Sequence, residues 1–175
     1  MKSLIRAWLG VPDEVQRGDQ ATLREVLDAL DKMDPDRARY LARFAYLLGR
    51  VAQADQQVSP EETRTMEQIL QKEGNLPPDQ AMLVVGLAKT SNLLFGGTDN
   101  YIVAREFEAQ ATPAQKLELL RCLFAVSVAE DGMSILEERE IQRIARELRI
   151  ETPDVVALRL QFKNYLPGLM NRGRS

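Results

Sequence analysis

The chain has 175 residues, 45% of them apolar and 28% charged, with a net charge of −3; that balance suits a soluble globular protein able to bury its own core and excludes a disordered or collagen-like chain. The mild acidic excess argues against a nucleic-acid partner, because phosphate binding needs clustered Lys and Arg. Histidine is absent and Cys122 is the single cysteine, which excludes His-based catalytic triads, an intrachain disulfide and the usual zinc sites, and leaves oxygen ligands for any metal, so a hard cation such as calcium or magnesium.

The first ten residues, MKSLIRAWLG, join Leu4, Ile5, Trp8 and Leu9 into an apolar arm interrupted by Arg6. They lack a small-residue cleavage site, and no run anywhere reaches the roughly 20 apolar residues of a membrane span. The expectation is a soluble cytoplasmic protein with an N-terminal arm over 1–21. The arm's own acids, Asp13, Glu14 and Asp19, are expected to be solvated.

Helix starts punctuate the rest. Asp34-Pro35, Ser59-Pro60, Thr112-Pro113 and Thr152-Pro153 each set a capping side chain before a proline, whose missing N–H costs nothing at the first helical position. Ser59/Glu62, Thr112/Gln115 and Ser134/Glu137 complete capping boxes, in which two side chains satisfy each other's orphan backbone donors. Leu41, Phe44, Ala45, Leu48, Val51 and Ala52 recur at helical spacing, as do Leu117, Leu120, Phe124 and Val128, then Leu136, Ile141, Ile144 and Leu148. Residues 81–88, AMLVVGLA, are apolar nearly all round and predict a central buried helix. No segment alternates with a two-residue period, so no sheet is predicted.

The map is helices near 22–33, 35–54, 60–74, 78–94, 99–110, 113–129, 135–148 and 153–165, with a loop at 95–100 containing Gly96-Gly97. That glycine pair lacks the lysine and preceding strand of a phosphate loop. Cys122 lies in the apolar run 119–124, where a buried, inert thiol is expected. A helical domain over 22–166 and a flexible tail over 167–175 complete the organisation.

A shift of 75 positions aligns Leu48 with Leu123, Val51 with Val126, Val58 with Met133, Ser59 with Ser134, Glu62 with Glu137, Met66 with Ile141 and Ile69 with Ile144. Core positions and capping box coincide. The fold class that follows is all-α: a compact bundle of about seven or eight helices built from two related hairpins, near 35–76 and 112–150, with a pseudo-twofold repeat.

The stretches VAQADQQVSPEE and LLRCLFAVSVAEDGMSILEEREIQRIARELRI resemble the two motif regions of the TerB-like family, which includes tellurite-resistance TerB proteins and the N-terminal domain of DjlA-type co-chaperones. The resemblance covers roughly residues 35–165. It implies an all-α domain of two related bundles, linked to bacterial tellurite and stress resistance or to envelope-associated processes, with no established enzymatic activity. Members often carry Asp-Gly at these corners and a Glu on the next helix. The matching residues are Asp55 and Glu62, then Asp131 with Glu137 or Glu138, although Gln56 replaces the first glycine.

Two readings of the corners stand. Asp55, Glu62, Glu130, Asp131, Glu137 and Glu138 would supply carboxylates to a divalent cation if the hairpins bring them together. Alternatively Ser, Asp, Gly and Glu serve only turn geometry, capping and the helix dipole. The C-terminal stretch carries Arg159, Lys163, Arg172 and Arg174 among Leu158, Leu160, Phe162 and Tyr165; it is expected to close the bundle with its charges outward, and such a helix can also rest on an anionic membrane. The functional expectation is a non-catalytic module that docks to a protein partner, with peripheral association at the inner-membrane surface open to it. A cation-binding regulator is the alternative.

Overall fold

Helix α2, Pro35–Ala52, sits at the centre: Leu41, Ala42, Phe44, Ala45, Leu47 and Leu48 are all fully buried in the computed structural model. The structure describes residues 20–52, 59–89, 100–129 and 132–162. Around α2 stand α1 (Gln20–Asp31), α3 (Pro60–Lys72), α4 (Pro78–Lys89), α5 (Asn100–Gln110), α6 (Pro113–Val128), α7 (Ile135–Glu147) and α8 (Thr152–Gln161). Among the described residues there is no strand, as the sequence predicts.

Helix α2 packs against α1, α4, α5, α6 and α7; α3 packs on α4 and α6, and α8 on α6. One aromatic cluster fastens α2 to α5, with Tyr40 and Phe107 stacked at 5.4 Å and Phe44 edge-on to Phe107 at 6.4 Å. Such pairs add about 1 kcal/mol beyond the area they bury. Burial, reinforced by the charge of Glu118, pushes the Tyr40 hydroxyl above its ordinary pKa, so it stays neutral. At the far end Phe162 stacks on Phe124 at 5.6 Å and seats α8 on α6.

Helix α4 is central as expected, with Ala81, Val84, Val85, Leu87 and Ala88 buried, but Met82 is 58% exposed. Gly86 explains the close approach of α1: a Cβ there would lie 3.0 Å from Val26 Cγ2. Gly74 is tighter still, since its Cβ would meet Leu70 O at 2.7 Å and Cys122 Sγ at 2.9 Å. Cys122 is buried and its thiol is pushed upward by that burial, with Glu73 and Glu118 adding to the effect. A thiol so placed is inert, as expected.

The helix starts form where the sequence places them. Asp34 Oδ1 accepts from the N–H groups of Asp36 and Arg37, and all three capping boxes are closed. Thr152 is the exception. Glu151 holds the cap position without a side-chain bond and Thr152 is the first residue of α8, because Glu151 O already accepts from Asp154 and Val155. Displaced by 75 residues, α3 coincides with α7 at both ends, whereas α2, Pro35–Ala52, does not coincide with α6, Pro113–Val128. The helices also pack crosswise, α2 on α7 and α3 on α6.

Candidate acidic corners and the charged face of α7

Both corners open with the same local chemistry. Ser59 N–H donates to Glu62 Oε2 at 2.6 Å while Glu62 N–H donates to Ser59 Oγ at 3.1 Å. Ser134 N–H donates to Glu137 Oε2 at 2.7 Å while Glu137 N–H donates to Ser134 Oγ at 3.1 Å. The cap residues have nearly the same backbone, φ −65° and ψ 160° for Ser59 against φ −75° and ψ 160° for Ser134. Glu62 and Glu137 therefore spend an oxygen each on a backbone donor, which is the capping use of these residues. Gly132, in the second corner, has φ 94°, a left-handed conformation that glycine adopts without strain.

Glu138, the surplus acid of the second corner, faces α8. It accepts from Arg159 Nε and from Gln142 Nε2, and its side chain is only 12% exposed. Of the basic residues of that C-terminal stretch Arg159 alone is described, and it pairs with Glu138 while 35% exposed; Val156 and Leu160 are exposed on the same helix. Asp55, Glu130 and Asp131 lie outside the described residues, and so do the arm to residue 19, the Gly96-Gly97 loop and the tail from 163. Among the described residues no group of three or more potential metal ligands gathers.

The strongest electrostatic feature is one the sequence does not announce. Arg50, near the end of α2, is 7% exposed and spans two glutamates of α7. Its Nε and Nη2 meet Glu140 Oε1 at 2.8 and 2.6 Å, and its Nη1 meets Glu147 Oε2 at 2.7 Å. Burial alone would lower the guanidinium pKa, but the hydrogen bonds of Glu147 and Glu140 outweigh it and hold the group above its ordinary value. Three groups so buried and so paired form a fixed clamp. The partners lie 90 and 97 residues away in sequence, which is why spacing rules do not reveal them.

The acids of α7 are therefore all in use: Glu137 in the cap, Glu138 on Arg159, Glu140 and Glu147 on Arg50. Its arginines are not turned inward. Arg139, Arg143 and Arg146 are exposed on the outer side. Among the described residues Arg143 alone of the three makes an ion pair, with Glu140 Oε2 at 3.5 Å, while itself 64% exposed. A mixed-charge sequence has been sorted into acidic flanks and a basic outer stripe.

A family model described as tellurite resistance protein TerB matches residues 41–160, from the middle of α2 to the last turn of α8. No curated protein and no solved structure matches the chain. No described helix is long and apolar enough to cross a membrane.

Proposed function

The chain belongs to the TerB family of tellurite-resistance proteins, and from that premise we propose that it is a non-catalytic docking module of a bacterial tellurite- or stress-response assembly. One observation carries the reading. Ile135 and Leu136 on α7 and Val156 and Leu160 on α8 are large apolar side chains between 48% and 66% exposed. The Glu138–Arg159 pair joins α7 to α8, the two helices that carry these four side chains. Exposed apolar patches on a folded surface mark interaction sites.

The test is affinity capture from the native cell with the full chain and with Leu136→Glu/Leu160→Glu. The wild type is expected to recover a partner that the variant loses. Recovery of nothing above background by the wild type would sink the proposal.

A regulator that takes a divalent cation at the acidic corners is the alternative, and it would draw on Asp55, Glu130 and Asp131 with whatever Glu62, Glu137 and Glu138 can still offer. Melting with calcium, magnesium and a chelator separates the two. A ligand at a hundred times its Kd adds about 2.7 kcal/mol. A stabilisation of that kind, abolished in Glu130→Gln/Asp131→Asn, would favour the cation regulator, and no response to any ion would remove it.

A further inference from the structure

On a helix of about 100° per residue, Ile135, Leu136, Arg139, Arg143 and Arg146 fall within one sector about 100° wide. All five are exposed. The opposite side of α7 carries Ile141, Ile144 and Ala145 into the core. The flanks carry Glu140 and Glu147 to Arg50 on one edge, and Glu138 to Arg159 on the other. Glu138 and Glu147 are thereby engaged by a cation from another helix, and Glu140 is shared between Arg50 and the stripe's own Arg143. Arg139 and Arg146 make no ion pair with another described residue. Three guanidinium groups thus stand along roughly 10 Å of helix, next to two exposed apolar side chains.

We propose that the outer stripe of α7 binds an acidic amphipathic helix of a protein partner, with its carboxylates on Arg139, Arg143 and Arg146 and an apolar anchor on Ile135 and Leu136. This rests on the docking reading above and names the chemistry of the partner. Charge complementarity selects an acidic occupant, because the guanidinium fork matches carboxylates in a bidentate way. Helical spacing selects the form. The three arginines stand four and three residues apart, and acids at i, i+3 and i+7 on an antiparallel helix repeat that ladder. The molecule as a whole carries −3, so its long-range field opposes an anionic bilayer or a duplex. Short-range pairing to one short segment survives that field, because it acts within a Debye length.

The probe is a labelled synthetic helix of about 20 residues with glutamates at i, i+3 and i+7 beside a leucine pair, a length at which isolated helices become stable. Its binding to the full chain is followed by anisotropy. Weakening by about tenfold or more is expected when the glutamates are replaced by glutamine, and again with Arg139→Glu/Arg143→Glu/Arg146→Glu. The control Arg64→Glu, on α3, should leave binding unchanged. Circular dichroism checks that the triple variant keeps its helices, and a modest drop in melting temperature is expected from the lost Arg143–Glu140 pair and the added acids on α7. Equal binding of the glutamine peptide, or indifference to the triple substitution, would overturn the proposal. So would co-sedimentation with phosphatidylglycerol vesicles that is lost in the triple variant, since that assigns the stripe to a membrane. If the triple variant still recovers the native partner found by affinity capture, the stripe is wrong and docking stands. If the wild type captures no partner, docking itself falls.

Discussion

Helices α3 and α7 start 75 residues apart from matching capping boxes. On α3 the exposed outer positions are Pro60, Glu61, Arg64, Gln68 and Gln71; on α7 the same positions are Ile135, Leu136, Arg139, Arg143 and Arg146. The inner flanks differ as well. Where α7 has Glu138, Glu140 and Glu147, α3 has Thr63, Thr65 and Lys72, and the position matching Arg50 is Ala125. The two copies share what the backbone and core demand, a cap and a buried stripe. They share Arg64 with Arg139, but Glu61, Gln68 and Gln71 stand where Leu136, Arg143 and Arg146 do, so one outer face is neutral and the other carries three cations. A local motif can repeat without its site repeating.

The largest break in this contrast is expected at Arg50. Arg50→Met leaves Glu140 and Glu147 partly buried without their cation, and should cost about 3 kcal/mol in chemical denaturation. Lys72→Ala, at the position on α3 matching Glu147, should change stability by less than about 0.5 kcal/mol, since its side chain is 84% exposed. Adding Glu140→Gln and Glu147→Gln to Arg50→Met should recover most of the loss, because the uncompensated charges are then gone. A loss that persists would show that the guanidinium matters by its packing.

The shared element can be tested next. Ser59→Ala and Ser134→Ala should each cost about 1 kcal/mol, by removing the acceptor for the Glu62 or Glu137 N–H. Equal costs sharpen the equivalence of the two corners, and a difference above about 1 kcal/mol breaks it.

The far ends of the two helices part company by one residue. After α3 the left-handed position is Asn75, φ 54°; after α7 it is Arg149, also φ 54°. Ile150 N–H then reaches back to Ala145 O, and Leu76 N–H to Leu70 O. Asparagine enters this backbone at less cost than arginine, so Arg149→Gly should raise stability by up to about 1 kcal/mol, with Asn75→Gly nearly neutral. Melting temperatures of the two variants check it.

The smallest effect concerns pH. Lys116, which stands where the first copy has Leu41, donates to Glu108 Oε1 at 3.0 Å, and this bond holds the Glu108 carboxyl below its ordinary pKa. A carboxyl lowered in the folded state contributes stability that is full above its unfolded pKa and lost as pH falls through the folded one. Lys116→Met should therefore melt slightly below the wild type near neutral pH, and the two should converge in acid.

Much of the fold was legible in the sequence, since its signals are local. Ser, Pro and Glu within four residues fix a helix start whatever lies elsewhere, and Leu or Phe at helical spacing fix a buried face. Thr152 misled because capping also depends on which carbonyl the neighbouring N–H groups reach, and Glu151 O had taken that place. The candidate site was legible only in part. Glu62 and Glu137 were named as corner acids, and they are the caps. Glu138 stands among the same corner acids, and it pairs with Arg159.

By itself the sequence determined the helices of the described residues, most of their starts, the matched capping boxes and a buried Cys122, because propensity, capping and periodicity act over one or two turns. Tertiary structure alone decided that Arg50 clamps α7 and that Arg159 pairs with Glu138. It also decided that Arg139, Arg143 and Arg146 are left facing out. The physical reason is that a charge has no intrinsic direction along the chain: where it points depends on which opposite charge the packing of distant helices brings within reach.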